Sequence, residues 1–365
     1  MKKLIFTVTT DLTYDQRMQR ICASLAHHGY DVLLVGRFLP SSASLRQKNF
    51  RQHRLTCTFN KGKLFYLEFM LRLWWFLHRT NADAYCAIDL DTALPVYLTA
   101  KSKNKPFGYD AHEYFPEVIE LQNRPAAKKI WQKVEQFIIP RTQFAYTVTN
   151  TIANKFKELY GKQFDVIRNA TVLKNKPLPN QKPERYFIYQ GAVNEGRGLE
   201  QTLEAMQFVN AKLLICGSGD VLQGLKNRAS ELNLQAKVEF AGYVLPEKLQ
   251  QLTEGAWAGL NLLENRGLSY YFSLANKFFD YVHAEIPQIC AGFPEYQSLN
   301  AEHEVAILAN CDAKQIAAAM NKLLNDGDFY QLLAGNCKTA KQTWNWQQEE
   351  IKLIELYHHI APLTS

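Results

Sequence analysis

At 365 residues, 47% of them apolar, the chain is too long for one ordinary domain and rich enough to bury two cores. Its net charge of +7 points to an anionic partner, but the lysines and arginines form no basic run and accompany no nucleic-acid module, which sets nucleic acid aside. No stretch approaches the roughly twenty apolar residues of a spanning helix, since Phe65 to Leu77 is broken by Glu68 and Arg72.

In chain order, Leu4–Val8 reads as a first buried strand: its apolar run is shorter than a signal-peptide core and lacks a small-residue cleavage site. Further β-rich runs at Asp31–Val35, Ala84–Ile88, Phe107–Tyr109, Phe144–Val148 and Asp165–Ile167 alternate with helical stretches at Gln16–His28, Leu64–His78, Lys128–Ile139 and Ile152–Tyr160. Such alternation calls for a parallel, doubly wound sheet. A Lys/Asn/Pro-rich stretch, Lys174 to Pro183, then breaks the periodicity as an interdomain linker would. A second series follows, with strands at Tyr186–Tyr189, Leu213–Cys216, Val238–Ala241, Gly259–Leu262, Gln288–Cys290 and Ala306–Leu308, helices at Ala313–Leu324 and Phe329–Ala340, and a last helix from Trp346 to Ile360. The expected fold class is α/β, with two Rossmann-like domains facing across a cleft. The expected boundaries are 1–173 and 174–345, with 346–365 crossing back to the first domain.

The seven cysteines form no Cys-x-x-Cys pair and no metal spacing with histidine, so they read as reduced core thiols of a cytoplasmic protein and no metal site is expected. Phe65, Phe69, Leu73, Phe76 and Leu77 recur at helical spacing, with Trp74 and Trp75 beside them and Lys61, Lys63, Arg72 and Arg79 around. Packing against the sheet is the expected role of this helix. The alternative is rest on the inner face of a membrane, so membrane contact is at most peripheral.

Two segments carry most of the chemistry. Tyr189-Gln190-Gly191-Ala192-Val193-Asn194-Glu195-Gly196-Arg197-Gly198-Leu199-Glu200 and Ser273-Leu274-Ala275-Asn276-Lys277-Phe278-Phe279-Asp280 each set small or glycine backbone beside one cation at a strand-to-helix junction. Main-chain N–H groups and a helix dipole can hold a diphosphate at such a place, which suggests a nucleotide-sugar site. Cys216-Gly217-Ser218-Gly219 ends another strand, with Asp220 expected to open a helix, but Leu222 stands where a dinucleotide fingerprint has its third glycine.

Taken in order with Val238 to Val244 and Ile286-Pro287, these segments resemble the donor domain of retaining GT-B glycosyltransferases of the family-four, group 1 type. The resemblance spans most of residues 186 to 310 and, more loosely, the N-terminal half. It implies a nucleoside-diphosphate sugar as co-substrate with no further cofactor, and donor contacts from Gly191, Arg197, Gly217, Ser218, Gly219, Tyr243, Asn276, Lys277 and Asp280, while Glu264, Asn265 and Ser273 are the polar candidates to replace an acid that the family usually carries at the position of Phe272. Arg197 and Lys277 would meet the charge that develops on the leaving diphosphate. Three departures stand out: Ala192 replaces a basic residue usual in the family, Asp280 a glutamate that bonds the ribose, and Phe272 an acid that contacts the donor sugar.

In the first half, Tyr109-Asp110-Ala111-His112-Glu113 follows a short strand and resembles an Asp-x-His-Glu turn of some members. His112 would bond a sugar hydroxyl or share a proton with the leaving phosphate, with Asp110 or Glu113 orienting its ring. In the loop Thr9 to Arg17, residues Asp11, Asp15 and Arg17 are candidates for acceptor contact, although Thr13 with Gln16 also fits a capping box. Asp89 and Asp91 are further acceptor candidates. The expected function is retaining transfer of a hexose-type sugar to the hydroxyl of a glycan or lipid-linked acceptor, in cell-surface polysaccharide synthesis. A sugar-nucleotide epimerase of the same fold and a non-catalytic sugar-nucleotide-binding protein are the alternatives.

Overall fold

The computed structural model describes residues 1–13, 15–174 and 185–363, and among these thirteen strands form two sheets, parallel throughout. The first contains β1 (Lys3–Thr7), β2 (Asp31–Phe38), β3 (Arg51–Thr56), β4 (Ala84–Ile88), β5 (Phe107–Ala111), β6 (Phe144–Thr147) and β7 (Asp165–Val166), in the order β3-β2-β1-β4-β5-β6-β7. The second contains β8 (Tyr186–Gln190), β9 (Lys212–Cys216), β10 (Val238–Gly242), β11 (Ala258–Asn261), β12 (Gln288–Ala291) and β13 (Ala306–Ala309), in the order β10-β9-β8-β11-β12-β13. Two Rossmann-like sheets with helical crossovers are the fold class expected from the alternation. The central strands β4 and β5 are buried at every position because parallel strands are covered on both faces, and this is why they read as unbroken apolar runs.

The chain divides into two compact units, Met1–Asn169 with Glu349–Ser365, and Ala170–Gln348. The first unit thus includes most of the helix Trp346–Ile360, whose Tyr357 ring packs 5.5 Å from Phe6 and 5.4 Å from Phe144. In the second, a core of Phe187, Leu213, Ile215, Leu260 and Ile289 fills the space between sheet and helices. The linker expected at Lys174–Pro183 lies, apart from Lys174, outside the described residues.

Strand β3 and the helix Leu90–Ser102 are among the elements that go beyond the sequence expectation. Strand β3, Arg-Gln-His-Arg-Leu-Thr, has no apolar alternation because it is an edge strand pairing only with β2, and edges are kept polar. The helix Leu90–Ser102 carries Pro95 in its interior, which hides it from a helix pattern. Two expectations are corrected. The helix Gln16–His27 is capped by Asp15, whose Oδ1 accepts from Met18 N at 3.0 Å, so the Thr13/Gln16 capping box does not form. The helix after β9 begins at Leu222, two residues beyond Asp220. Five cysteines are buried and none of the seven forms a disulfide.

Candidate active site

In the second sheet β8 continues to β9 on one side while β11 continues to β12 on the other, so the loops leaving their carboxyl ends diverge and open a crevice. The loops around it are joined backbone to backbone: Gly191 N donates to Cys216 O at 3.0 Å, Val193 N to Ser218 O at 3.0 Å, and Gly217 N to Gly242 O at 2.7 Å. A Cβ on Gly217 would collide with Gly191 O, and one on Gly219 with Val193 O, so the close approach of the loops requires glycine at both positions.

Lys277 comes from the first turn of the helix Asn276–His283 and is 8% exposed. Its Nζ lies 3.6 Å from the centre of the Tyr189 ring and makes no hydrogen bond. Burial, and after it the positive charge of Arg197, push its proton affinity well below that of an ordinary lysine. Arg197 follows Gly196 at φ 79° and precedes Gly198 at φ 67°, a turn that side chains disfavour, and a Cβ on Gly198 would press on Cys311 Sγ at 2.7 Å. Its guanidinium sits 4.9 Å from the Tyr270 ring, and its buried Nε has no partner. Two like charges from separate turns therefore share one neighbourhood with donor capacity unused. Such an arrangement can stabilise a compact anion by charge-assisted hydrogen bonds.

Around this pair the other candidates are held in distinct ways. Asp280 accepts from Thr171 Oγ1 at 2.6 Å through one oxygen and from Gln190 Nε2 at 2.8 Å through the other. Gln190 is fixed in turn by Thr253 Oγ1, which donates to its Oε1 at 2.7 Å. Glu264 is bound to Arg266 at 2.6 Å, and the same guanidinium reaches Glu195, so a small ion-pair network borders Gly196. Ser273 donates to Tyr270 O at 2.8 Å, while Ser218, Asn276 and Tyr243 are exposed. Phe272 stacks obliquely on Tyr271 at 5.7 Å.

Tyr189 and Gln190 entered the sequence reading only as the start of the glycine segment, and Asn261 escaped it. Each stands at or next to the end of an apolar strand, and a polar residue there is the signal that marks them. Asn261 is fully buried, with Nδ2 3.7 Å from Cys290 Sγ and Oδ1 unpartnered.

In the first sheet the order reverses between β1 and β4, and the second group of candidates gathers there. Asp110 belongs to β5 itself, fully buried, and meets Arg17 at 3.0 Å and 3.3 Å; Arg17 also donates to Ile167 O at 2.8 Å. Burial alone would raise the Asp110 carboxyl, but Arg17 and His112 outweigh it and hold it below the usual carboxylate range. His112 Nε2 lies 3.0 Å from Asp110, its Nδ1 4.0 Å from Asp89, and its backbone N donates to Asp89 Oδ1 at 2.9 Å. Burial works against its charge, yet the two carboxylates raise its pKa to about 9. Asp89 takes φ 55°, unusual for a residue with a side chain, and burial drives its own pKa well up. Thr9 Oγ1 donates to Asp91, which burial raises to about 6.

The remaining first-half candidates are occupied within the unit. Asp11 pairs with Arg54 at 2.6 Å and accepts from Ser42 and Thr13, Asp15 caps its helix, and Arg17 serves Asp110. Glu113 is exposed. Among the described residues no three His, Cys, Asp or Glu side chains are grouped to hold a metal ion.

Residues 16–174 match the family model described as Glycosyltransferase Family 4, and residues 173–342 the one described as Glycosyl transferases group 1. The chain is 28% identical over 120 residues to the uncharacterized glycosyltransferase MJ1607 of Methanocaldococcus jannaschii, covering 30% of this chain and 31% of that relative. It therefore spans less than a third of the length of that curated protein. Among solved structures it is similar to sucrose-phosphate synthase from Thermosynechococcus elongatus, with TM-score 0.84, 17% identity, and coverage of 98% of this chain and 99% of the other. It is also similar to Anabaena HepE in complex with UDP and glucose, with TM-score 0.79, 11% identity, and coverage of 98% and 100%. At such identities these structures share the fold.

Proposed function

Because this chain belongs to the group 1 glycosyltransferases, we propose that it moves a hexose-type sugar from a nucleoside diphosphate to an acceptor hydroxyl with retention of anomeric configuration, in the building of a cell-surface glycan. The observation that carries the donor half of this reading is the Lys277 ammonium, buried, unbonded and beside Arg197. A structural neighbour, HepE, is described in complex with UDP-glucose.

In the proposed step the bond between the anomeric carbon and the diphosphate oxygen breaks while the acceptor oxygen bonds to the same face of that carbon. The acceptor proton passes to the leaving phosphate oxygen. Negative charge grows on the diphosphate, and Arg197 and Lys277 meet it in a site of low dielectric where fixed charge is most effective. Gly191, Gly217 and Gly219 let backbone N–H groups approach the same oxygens. Asp280, held in place by Thr171 and Gln190, would accept from the ribose hydroxyls. His112, cationic at neutral pH, would donate to a hydroxyl of the transferred sugar or the acceptor, and Asp89 and Asp110 orient it. The two cations would supply the countercharge without a metal.

A thermal-shift screen with UDP-, GDP- and ADP-sugars, followed by hydrolysis and transfer assays on each hit, tests this. A ligand held only by the folded state raises its stability. At least one nucleotide sugar should raise Tm and turn over, with the product anomer read by NMR. No shift with any of the panel, or an inverted product, would sink the reading.

A further inference from the structure

The outer layer of the first unit carries an apolar surface that stays exposed among the described residues. The helix Gly62–His78 buries Phe65, Phe69, Leu73 and Leu77 against its own unit. On its other side Leu64, Leu67, Leu71, Trp74 and Trp75 fall within an arc of about 100° at helical spacing. These five keep 42–58% of their surface exposed. A helix apolar on both faces is ordinarily covered on both, and a row of two tryptophans and three leucines in water marks an interaction surface.

Charge identifies the partner. Between residues 61 and 79 four cationic side chains, Lys61, Lys63, Arg72 and Arg79, stand against Glu68 alone. Glu68 spends its carboxylate on the backbone N–H groups of Phe59 and Thr58, each at 2.9 Å, and on Arg72 at 2.8 Å, contacts that hold its pKa at about 2. The Arg79 guanidinium lies 3.7 Å from the Trp75 ring centre, at the rim of the apolar row. The neighbouring helix Pro125–Ile138, which touches this one through Trp131 against Tyr66 at 5.5 Å, adds exposed Lys129 and Lys133 beside Ile130.

We propose that this face of the helix Gly62–His78 docks on an anionic lipid bilayer, in the interfacial plane. Leucines at the centre of the row enter the acyl boundary, tryptophan rings sit at headgroup depth, and the flanking cations meet lipid phosphates. No helix among the described residues is long and apolar enough to cross a membrane, so the attachment is a surface contact. The proposal does not rest on the transfer reaction, and its test uses no sugar donor.

Co-sedimentation of the full chain with phosphatidylcholine vesicles, with and without phosphatidylglycerol, reads it directly. Binding should require the anionic lipid and weaken steeply with salt, because screening removes the cationic contribution. L67S/L71S and, separately, K63E/R79E should each lower the vesicle affinity about tenfold or more while leaving Tm unchanged, since all four side chains are exposed. Equal binding by parent and variants would overturn the proposal. So would a doubled mass by light scattering that L67S/L71S abolishes with no vesicle binding, which would make the occupant a second copy.

Discussion

At the switch point of the first sheet every central charge has a partner: Arg17 closes on Asp110, and His112 lies between Asp110 and Asp89. At the switch point of the second, Lys277 and Arg197 repel one another, and one ammonium and one guanidinium nitrogen are buried without an acceptor. The same topological position thus carries a neutralised network in one unit and unbalanced positive charge in the other. A closed network fixes a side chain in one orientation and protonation state. An unbalanced pair is costly to the protein alone and becomes favourable only with an anion between its members. On the function proposed above, the first unit would orient a donor and the second would reserve binding energy for a diphosphate.

The largest effect should come from opening the closed network. Arg17→Met takes one of the two cationic partners from the buried Asp110 carboxylate and leaves it to His112 alone, and breaking a buried pair typically costs about 3–5 kcal/mol. Urea unfolding should register a loss of that order, whereas Arg197→Met in the second unit should not. A loss below about 1 kcal/mol for Arg17→Met, the range of an exposed pair, would erase the distinction.

Next is catalysis. Lys277→Ala and Arg197→Ala should each lower turnover about a hundredfold or more, roughly 2.7 kcal/mol, as removal of a charge-stabilising donor does. Both should also lose the Tm rise produced by the donor. Near-normal activity in both variants would break the diphosphate assignment.

His112 gives a pH-dependent test. Its folded-state pKa of about 9 lies above the ordinary 6.5, so its stabilising contribution is complete below the ordinary value and fades as pH rises through about 9. If its proton serves transfer, the rate should hold across neutral pH and fall about tenfold per unit above that point. His112→Gln should remove this limb and lower transfer while the donor-induced thermal shift persists. An unchanged alkaline limb in the variant would return His112 to a scaffolding role.

How much of this contrast the sequence discloses depends on the kind of signal. Covered parallel strands such as Ala84–Ile88 must be apolar throughout, so the sheets were legible, and glycines beside a cation at a strand end singled out the Arg197 turn as a candidate. The edge strand Arg51–Thr56 was not, because its polarity is a property of its position in the sheet. Nor was the commitment of Asp11 to Arg54, which depends on what tertiary folding brings near the carboxylate. The burial of Lys277 against Tyr189 was equally invisible: a lysine at a helix start is ordinarily solvated, and only the packing of β8 beneath it removes the water.

The smallest effect is the most discriminating. If Lys277 is held for a ligand at the protein's expense, Lys277→Met should raise the stability of the ligand-free protein by about 0.5–2 kcal/mol, the gain usual when a strained functional residue is relieved. The sign follows from its depressed proton affinity. Between the folded and unfolded pKa values the unfolded chain binds the extra proton, so wild-type stability falls as pH falls below the ordinary lysine value of 10.5. The advantage of the methionine variant should therefore be largest toward neutral pH and below, and vanish as pH approaches that value. With saturating donor the order should reverse, because the wild type alone recovers its charge cost from the diphosphate. A variant less stable than wild type without ligand would show that Lys277 is a packing element of the helix Asn276–His283, and the two switch points would then differ only in sequence.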